Sequence, residues 1–315
     1  MSVQGDRVHD ECGVVGVYSK DEDVARIAFF GLFALQHRGQ ESAGIATGDG
    51  EIIRLRTAMG LVTQSFQEDH LERLTGYLAI GHTRYSTTGS SHVKNAQPII
   101  SNGPDVKLAL GHNGNVVNAQ ELRDELLGWG CTFNSSNDSE IVANLISNAP
   151  ANTWEDRIAY AMRRLRGAYS LVIMTKDTLL GVRDPLGVRP LCIGKLNDGW
   201  VIASETCALD HIGATFVREV EPGEAVMVDA DGLRSIYQKE PRQNRASCVF
   251  EHIYFARPDS VLDGRLVYSN RMNMGSELAR EHPVEADMVI GVPDSALAAA
   301  VGYSQESGIP YGEGL

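Results

Sequence analysis

Cys12 is the residue from which a chemical function can first be inferred in this sequence. It stands directly before an apolar, β-branched run, 13–17, which is typical of a buried strand. Cleavage of the Glu11–Cys12 bond would make Cys12 the first residue, and its own α-amine, with a pKa of roughly 7.7–8.0, could then accept the thiol proton. The alternative is that Cys12 is only a small buried hydrophobe, which is the commonest role of a free cysteine.

A cysteine that attacks an amide also needs donors for the oxyanion and groups that hold the substrate. Asn113 and Gly114 form an Asn-Gly pair that offers a side-chain amide and an unencumbered N–H. Arg84 follows a predicted strand and can bind a carboxylate through two hydrogen bonds. Asp138 lies at a predicted helix start and can accept a hydrogen bond from an ammonium group. Together these residues indicate a site for free glutamine.

Each of these residues also has a purely structural interpretation. An Asn-Gly pair is usually a turn, an aspartate such as Asp138 often caps a helix, and Arg84 alone would usually form a surface ion pair. His82 and His112 more often make local hydrogen bonds, and their surroundings lack the spacing of a metal site. The hypothesis of a glutamine site therefore rests on the occurrence of all these elements together.

The composition of the 315-residue chain excludes several classes of protein. The net charge of -13 argues against binding to nucleic acid. The sequence contains no apolar run of about 18 residues, so no membrane span is expected, and the polar residues 1–11 lack the features of a secretory signal. The five cysteines show no paired spacing, which favours free thiols in the cytoplasm over disulfides. We interpret Cys131, Cys192 and Cys207 as packing residues.

Two short strands, 78–81 and 108–111, are predicted to end just before polar clusters that contain the candidate site residues. An amphipathic helix, 24–35, precedes them and leads into the polar segment 36–44. Further strands follow between residues 168 and 237. This succession of elements favours a layered α+β domain with mostly antiparallel sheets rather than alternating βαβ units.

Two helix starts near the candidate site are predicted from capping residues. Asn118, followed by Glu121 three positions later, forms a capping-box pattern for a helix over 118–127. Asp138 is expected to cap a helix over 139–146.

The polar segment 238–247 contains a proline and lacks periodicity, so a domain boundary is expected there. After it, 248–255 is typical of a strand, and 286–292 is a continuous apolar strand followed by a helix that begins at residue 296. This pattern indicates a βα unit of a parallel sheet. Because one such strand cannot bury both its faces, we expect the second domain to be truncated.

Five motifs in the first domain resemble those of the class II, or N-terminal nucleophile, glutamine amidotransferases. They are Cys12-Gly13-Val14, LQHRGQESAG at 35–44, GHTRYSTTG at 81–89, HNGN at 112–115 and DSE at 138–140. Two further motifs, RDPLGVRPL at 183–191 and CVFEHIYFARPDS at 248–260, narrow the resemblance to the branch of the family that acts on phosphoribosylpyrophosphate. The resemblance covers nearly all of residues 10–315.

The resemblance implies a propeptide over 1–11 and a four-layer αββα sandwich, the N-terminal nucleophile fold, over 12–240. Residues 241–315 would be the N-terminal part of an α/β phosphoribosyltransferase domain, incomplete in this chain. It also implies a role for each site residue. Cys12 would be the nucleophile, Asn113 and Gly114 the oxyanion hole, Arg84 the partner of the glutamine carboxylate, Asp138 the partner of its amine, and Arg38 part of a loop that closes over glutamine.

In this branch, ammonia released from glutamine displaces pyrophosphate from phosphoribosylpyrophosphate to give 5-phosphoribosylamine, the first step of purine biosynthesis. The full-length enzyme is expected to use Mg²⁺ and a [4Fe-4S] cluster, for which Cys248 is a single candidate ligand, the others lying outside the chain. A cytoplasmic homo-oligomer is expected. The alternatives are another class II amidotransferase, such as glucosamine-phosphate synthase, or a non-catalytic protein that retains the fold.

Overall fold

The computed structural model describes residues 12–85, 92–238 and 246–314. The chain divides into two compact units, of which unit 1 is Met1–Ser204 with Ala208–Ala246 and unit 2 is Glu205–Cys207 with Ser247–Leu315. The predicted propeptide, 1–11, lies outside the described residues. In the part of the chain that is described, no helix combines the length and the hydropathy needed to cross a bilayer.

Unit 1 consists of two antiparallel sheets and the helices that cover them. Its strands are β1 (Gly13–Tyr18), β2 (Ser42–Gly48), β3 (Ile53–Met59), β4 (Leu78–Arg84), β5 (Ile99–Asn102), β6 (Lys107–Val116), β7 (Gly167–Met174), β8 (Leu179–Arg183), β9 (Cys192–Leu196), β10 (Gly199–Ala203), β11 (Thr215–Glu219), β12 (Glu224–Asp229) and β13 (Gly232–Gln238). Its helices are α1 (Val24–Ala34), α2 (Val62–Ser65), α3 (Glu68–Glu72), α4 (Ala119–Gly128), α5 (Asp138–Ser147), α6 (Trp154–Arg164) and α7 (Thr206–His211, which begins in the Glu205–Cys207 segment of unit 2).

Among the described residues, the first sheet has the strand order β11-β9-β10-β1-β4-β2-β3 and the second β13-β12-β8-β7-β6-β5. The two sheets pack face to face through apolar side chains such as Val14 and Val172. Gly16 permits this close packing, because a Cβ there would lie 2.6 Å from a methyl carbon of Val172. Apolar faces of α4, α5 and α6 cover the outer face of the second sheet.

On the other side, α1 covers the first sheet. Gly31 of α1 faces Val15 of β1, and an added Cβ at Gly31 would lie 3.1 Å from a Val15 methyl carbon. Helix, sheet, sheet and helix therefore form four layers around a buried core. The α+β class and the αββα sandwich predicted from the sequence are confirmed.

The polar clusters lie inside strands, so the prediction that the strands end at Gly81 and Gly111 is wrong. Strand β4 continues to Arg84 and β6 continues to Val116. Because β4 lies between β1 and β2, its backbone groups have ladder partners on both sides whatever its side chains are. The polarity of these residues therefore does not end the strands.

Asn118 lies at the predicted N-cap position of α4, whereas the predicted cap assignment of Asp138 is wrong. The side chain of Asn118 makes no cap bond and instead bridges backbone atoms of Arg164 and Arg166, at 3.0 Å each. Helix α5 is capped by Asn137, whose Oδ1 accepts from the N–H of Ser139 at 3.0 Å. Asp138 is the first residue of that helix, and its carboxylate is consequently available for other contacts.

Unit 2 contains a π-helix (Glu251–Phe255), the short strands β14 (Val261–Leu262) and β15 (Arg265–Leu266), and the helices α8 (Val267–Glu281) and α9 (Leu297–Ser307). The prediction of a strand over 248–255 is wrong. Aromatic and β-branched residues favour a strand there, but Arg271 binds the carbonyls of His252 and Ala256, at 2.7 and 2.8 Å, and so stabilises the helical backbone.

The second strand predicted in this region, 286–292, is also absent as a regular element. Within the described residues, Val289 makes only an isolated parallel bridge with Tyr311. The strongest packing in unit 2 is between α8 and α9, where Gly275 and Gly302 allow the helix backbones to touch. A Cβ at Gly275 would lie 1.8 Å from the carbonyl oxygen of Ala299.

Candidate active site

Cys12 lies directly before β1, a central strand of the first sheet, and is buried. Its backbone N–H donates to Oδ1 of Asn113 at 3.3 Å, and its thiol contacts the carbonyl oxygen of Tyr85 at 4.0 Å. Nε of Arg38 donates to the Cys12 carbonyl at 3.0 Å. The cysteine is thus held by its backbone from two sides, while the described residues provide its thiol with only a weak partner, the Tyr85 carbonyl.

Burial raises the pKa of the Cys12 thiol to about 11, although Arg84 and Arg38 act in the opposite direction. On the order of one thiol in a thousand would then be ionised at about pH 8. A nucleophile in this position therefore needs a base close to its sulfur.

Asn113 is completely buried and contacts Cys12 through its side-chain oxygen. The bond from the Cys12 N–H to Oδ1 directs the other end of the amide, Nδ2, away from that N–H. Nδ2 has no hydrogen-bond partner among the described residues. A buried donor without a partner costs free energy unless a ligand uses it, so Nδ2 is suited to an anionic oxygen that appears only during a reaction.

Gly114 lies on an edge of β6 that its neighbouring strand does not reach. Strand β5 pairs with β6 only as far as Leu110. Beyond it, the N–H of His112 donates to Oε1 of Gln97 at 2.9 Å, and that of Val116 donates to Oδ2 of Asp138 at 3.0 Å. Because alternate N–H groups of a strand point to the same side, the N–H of Gly114 belongs to this edge too.

The backbone at Gly114 has a φ of 146°, a conformation that favours glycine. A Cβ at this position would also lie 2.1 Å from the carbonyl oxygen of Ala168 in the adjacent β7. The chain therefore needs a glycine here, and its N–H and Nδ2 of Asn113 come from successive residues of one strand. Two donors placed in this way can share one oxyanion.

Arg84 ends β4 and is 3% exposed. Its Nη1 donates to Oε1 of Glu41 at 2.9 Å, and the two residues are also joined by a backbone bond of 2.9 Å. A guanidinium group carries five N–H donors in a planar fork whose geometry matches that of a carboxylate.

Arg38 lies in the short 3₁₀ turn Gln36–Arg38 and is 1% exposed. The bond of its Nε to the Cys12 carbonyl places it behind the cysteine backbone. The sequence-based role of Arg38, in a loop that closes over glutamine, stays a prediction.

Asp138 projects from the first turn of α5. Its Oδ2 accepts from Val116, and its Oδ1 lies 3.8 Å from Nδ1 of His112. A carboxylate has about four acceptor positions, so Asp138 can also accept from an ammonium group. The negative charge at a helix N-terminus is in addition favoured by the helix dipole.

His82 and His112 lie beneath this arrangement as buried, neutral side chains. Burial lowers the pKa of His82 to about 3 and also lowers the pKa of His112. Nε2 of His82 bonds to the His112 carbonyl at 3.0 Å, and Nδ1 of His112 to Oγ of Ser139 at 3.1 Å. The two rings link β4, β6 and α5, in agreement with the local hydrogen-bonding role expected for them.

Glu41 and Gln97 were not predicted from the sequence. Glu41 contacts Arg84, and Gln97 contacts the backbone of His112, the residue before Asn113. Glu41 belongs to a polar cluster that the motif comparison had included, but its pairing with Arg84 depends on the register of β2 and β4. No residue type in the sequence indicates a role for Gln97, because its partner is the backbone N–H of His112 rather than a side chain.

Cys248 is a half-buried free cysteine in unit 2. Within 12–85, 92–238 and 246–314, no three His, Cys, Asp or Glu side chains are grouped closely enough to hold a metal ion. One thiolate does not supply the four that a [4Fe-4S] cluster takes from protein. The role of Cys248 as one of four ligands stays a prediction.

The chain is similar to known proteins over most of its length. A family model described as a glutamine amidotransferase domain matches residues 82–211. The amidophosphoribosyltransferase of Synechocystis sp. is 52% identical over 316 residues, covering 98% of this chain and 64% of that relative. The amidophosphoribosyltransferase of Archaeoglobus fulgidus is 48% identical over 309 residues, covering 96% and 67%.

The solved structure of glutamine phosphoribosylpyrophosphate amidotransferase from B. subtilis, complexed with ADP and GMP, has a TM-score of 0.89 and 44% identity. The superposition covers 96% of this chain and 66% of that one. This chain thus spans 64% of the length of the Synechocystis relative, 67% of the Archaeoglobus relative and 59% of the amidophosphoribosyltransferase of Mycobacterium tuberculosis. The chain belongs to the amidophosphoribosyltransferase family.

Proposed function

We propose that unit 1 hydrolyses glutamine, with Cys12 as the nucleophile. The Cys12 sulfur attacks the side-chain amide carbon of glutamine and gives its proton to the α-amine that removal of 1–11 creates. The tetrahedral oxyanion accepts hydrogen bonds from Nδ2 of Asn113 and the N–H of Gly114. Protonation of the leaving group releases ammonia, and water then hydrolyses the thioester to glutamate.

The two ends of glutamine have matching partners in this proposal. The α-carboxylate binds the guanidinium of Arg84, and the α-ammonium binds the carboxylate of Asp138. Arg38 holds the backbone of Cys12 by donating to its carbonyl. We also propose that Arg38 belongs to a loop that closes over glutamine. The buried neutral histidines leave the α-amine as the base.

One observation carries this function. Oδ1 of Asn113 receives the Cys12 N–H at 3.3 Å, while its Nδ2 is buried without a partner among the described residues. The same side chain thus touches the nucleophilic residue and presents an unused donor beside it, which a purely structural asparagine would not do.

A controlled release of Cys12 tests the function. A site-specific protease sequence is placed in 1–11, and glutamine hydrolysis is compared before and after cleavage, with intact mass confirming the new N-terminus. Cleavage should raise the rate at least about 100-fold, because it creates the base. The matched control, Cys12→Ala cleaved in the same way, should be inactive. Equal activity in chains that retain 1–11 would contradict the mechanism.

For the whole enzyme we propose amidophosphoribosyltransferase activity, in which ammonia from unit 1 displaces pyrophosphate from phosphoribosylpyrophosphate. Residues 12–240 would be the glutaminase domain, and 241–315 the N-terminal part of the phosphoribosyltransferase domain. The proposed enzyme is a cytoplasmic homo-oligomer that requires Mg²⁺. A [4Fe-4S] cluster would need three thiolates besides Cys248, and no step of the glutaminase mechanism depends on either group.

A further inference from the structure

We propose that Asn95 and Gln97 are positioning residues for the glutamine site and act on different steps of the reaction. Asn95 holds the start of α5, which carries Asp138. Gln97 holds the edge of β6, which carries Asn113 and Gly114. This inference rests on the proposed function, because it assigns the two residues to glutamine binding and to amide cleavage.

Asn95 is completely buried and fastens the segment that leads into α5. Its Oδ1 accepts from the N–H of Ser136 at 3.3 Å, and its Nδ2 donates to Oγ of Ser136 at 3.4 Å. Its carbonyl oxygen accepts from Nδ2 of Asn137 at 3.2 Å. Asn95 therefore binds both residues that immediately precede Asp138.

Asn137 transmits this attachment to the helix. While its Nδ2 binds the Asn95 carbonyl, its Oδ1 caps α5 by accepting from Ser139. The cap and its anchor fix where the helix begins, and Asp138 is the first residue after the cap. A shift of this start would move the Asp138 carboxylate away from the substrate ammonium.

The side chain of Gln97 accepts a hydrogen bond that a neighbouring strand would otherwise accept from β6. Its Oε1 accepts from the N–H of His112, beyond the point where β5 ends. The Gln97 backbone is itself pressed against β2, because a Cβ at Gly44 would lie 2.1 Å from its carbonyl oxygen. The residue is 3% exposed, so the bond to His112 is shielded from water.

The hydrogen bond that Gln97 accepts from His112 fixes the position of β6 one residue before Asn113. Misplacement of an oxyanion donor lowers the rate of the chemical step, whereas misplacement of Asp138 weakens substrate binding. The two positioning residues should consequently affect kcat and KM differently. A residue that served stability alone would lower the melting temperature without producing this split.

The test uses the chain released at Cys12 and measures kcat and KM for glutamine together with the melting temperature. Asn95→Ala should raise KM about tenfold with kcat changed by less than about threefold. Gln97→Met should lower kcat about tenfold with KM changed by less than about threefold. The control is Asn118→Ala, which removes two side-chain bonds to the backbone of Arg164 and Arg166, and it should change only the melting temperature.

Asn95→Asp and Gln97→Glu keep a hydrogen-bond acceptor at each position and should retain kcat and KM for glutamine within about threefold. These two variants also test the proposal if Asn95→Ala or Gln97→Met does not fold. The proposal is overturned if Asn95→Ala and Gln97→Met behave like Asn118→Ala, if both change the same constant, or if the acceptor-retaining variants lose the activity. Absence of glutamine hydrolysis in the unsubstituted chain would overturn the proposed function, and this proposal with it.

Discussion

Cys12 in unit 1 and Cys207 in unit 2 are both buried thiols, yet the charge that acts most strongly on each thiol differs in sign. Burial raises the pKa of both. Arg84 and Arg38 act against this rise at Cys12, whereas the carboxylate of Glu205 adds to it at Cys207. Burial alone therefore does not distinguish a reactive thiol from a packing residue.

The hydrogen bonds around the two thiols differ as well. The Cys207 thiol donates to Oε2 of Glu205 at 3.7 Å, and the same oxygen accepts from Oγ of Ser260 at 2.6 Å and the N–H of Arg257 at 3.0 Å. This thiol is a donor within a set of mutually satisfied groups. Beside Cys12, in contrast, Nδ2 of Asn113 has no partner among the described residues. Of these two thiols, Cys12 is the one that lies beside a buried donor with no partner among the described residues.

The largest expected contrast is between alanine substitutions of the two cysteines. Cys12→Ala should lower glutamine hydrolysis by at least about 1,000-fold, because no other group can form the thioester. Cys207→Ala should leave the rate within about twofold. The measurement is glutamate formation by the released chain. Substantial activity in Cys12→Ala would refute the assignment of the nucleophile.

The next largest expected effect concerns Nδ2 of Asn113, the donor beside Cys12 that has no partner among the described residues. Asn113→Ala removes Nδ2 from the oxyanion and should lower kcat about 100- to 1,000-fold. KM should change little, because the donor acts mainly in the transition state. Steady-state kinetics separates the two constants, and circular dichroism checks that the sandwich is retained. A rise in KM at unchanged kcat would show that Asn113 binds the ground state instead.

Sequence patterns predicted the layered fold and the candidate residues because both depend on local features. Continuous apolar, β-branched runs indicate the strands, and the residue types Cys12, Arg84, Asn113 and Asp138 each match one part of the proposed reaction with glutamine. The contact between Cys12 and Asn113 joins residues that are 101 positions apart, and only the face-to-face packing of the two sheets brings them together.

The errors have equally physical causes. Asp138 was interpreted as a helix cap because an aspartate at a helix start usually is one, but the tertiary structure gives that role to Asn137 and directs Asp138 to Val116. The strand predicted over 248–255 is replaced by a helix that depends on Arg271, a residue of another element. Local propensity carries no information on such distant partners.

The third contrast is the pH dependence of thiol alkylation. In a chain that retains 1–11, Cys12 should react with iodoacetamide at a rate that rises about tenfold per pH unit between about pH 8 and 10, since its pKa is about 11 and the neutral thiol predominates below it. Peptide mapping by mass spectrometry gives the rate at each cysteine. After release at Cys12, an inflection near the pKa of the α-amine, at about pH 8, should appear.

His82 and His112 should not contribute an inflection near pH 6.5, because burial lowers the pKa of both and keeps them neutral above that pH. His82→Gln is a suitable control for this part of the profile. A plateau of the Cys12 rate below about pH 8 in chains that retain 1–11 would show that another group already activates the thiol.

The smallest expected effect concerns the stability that Cys207 gives to unit 2. Cys207→Ala removes the thiol donor from Glu205 and leaves a small cavity, so the free energy of unfolding should fall by about 1–2 kcal/mol. Cys207→Ser keeps a donor in place and should lose less. Thermal unfolding of both variants, measured beside glutamine hydrolysis, distinguishes a structural thiol from a functional one. If Cys207→Ser were less stable than Cys207→Ala, apolar packing rather than the bond to Glu205 would be the main role of Cys207. Cys207 would then differ from Cys12 as a packing residue differs from a nucleophile.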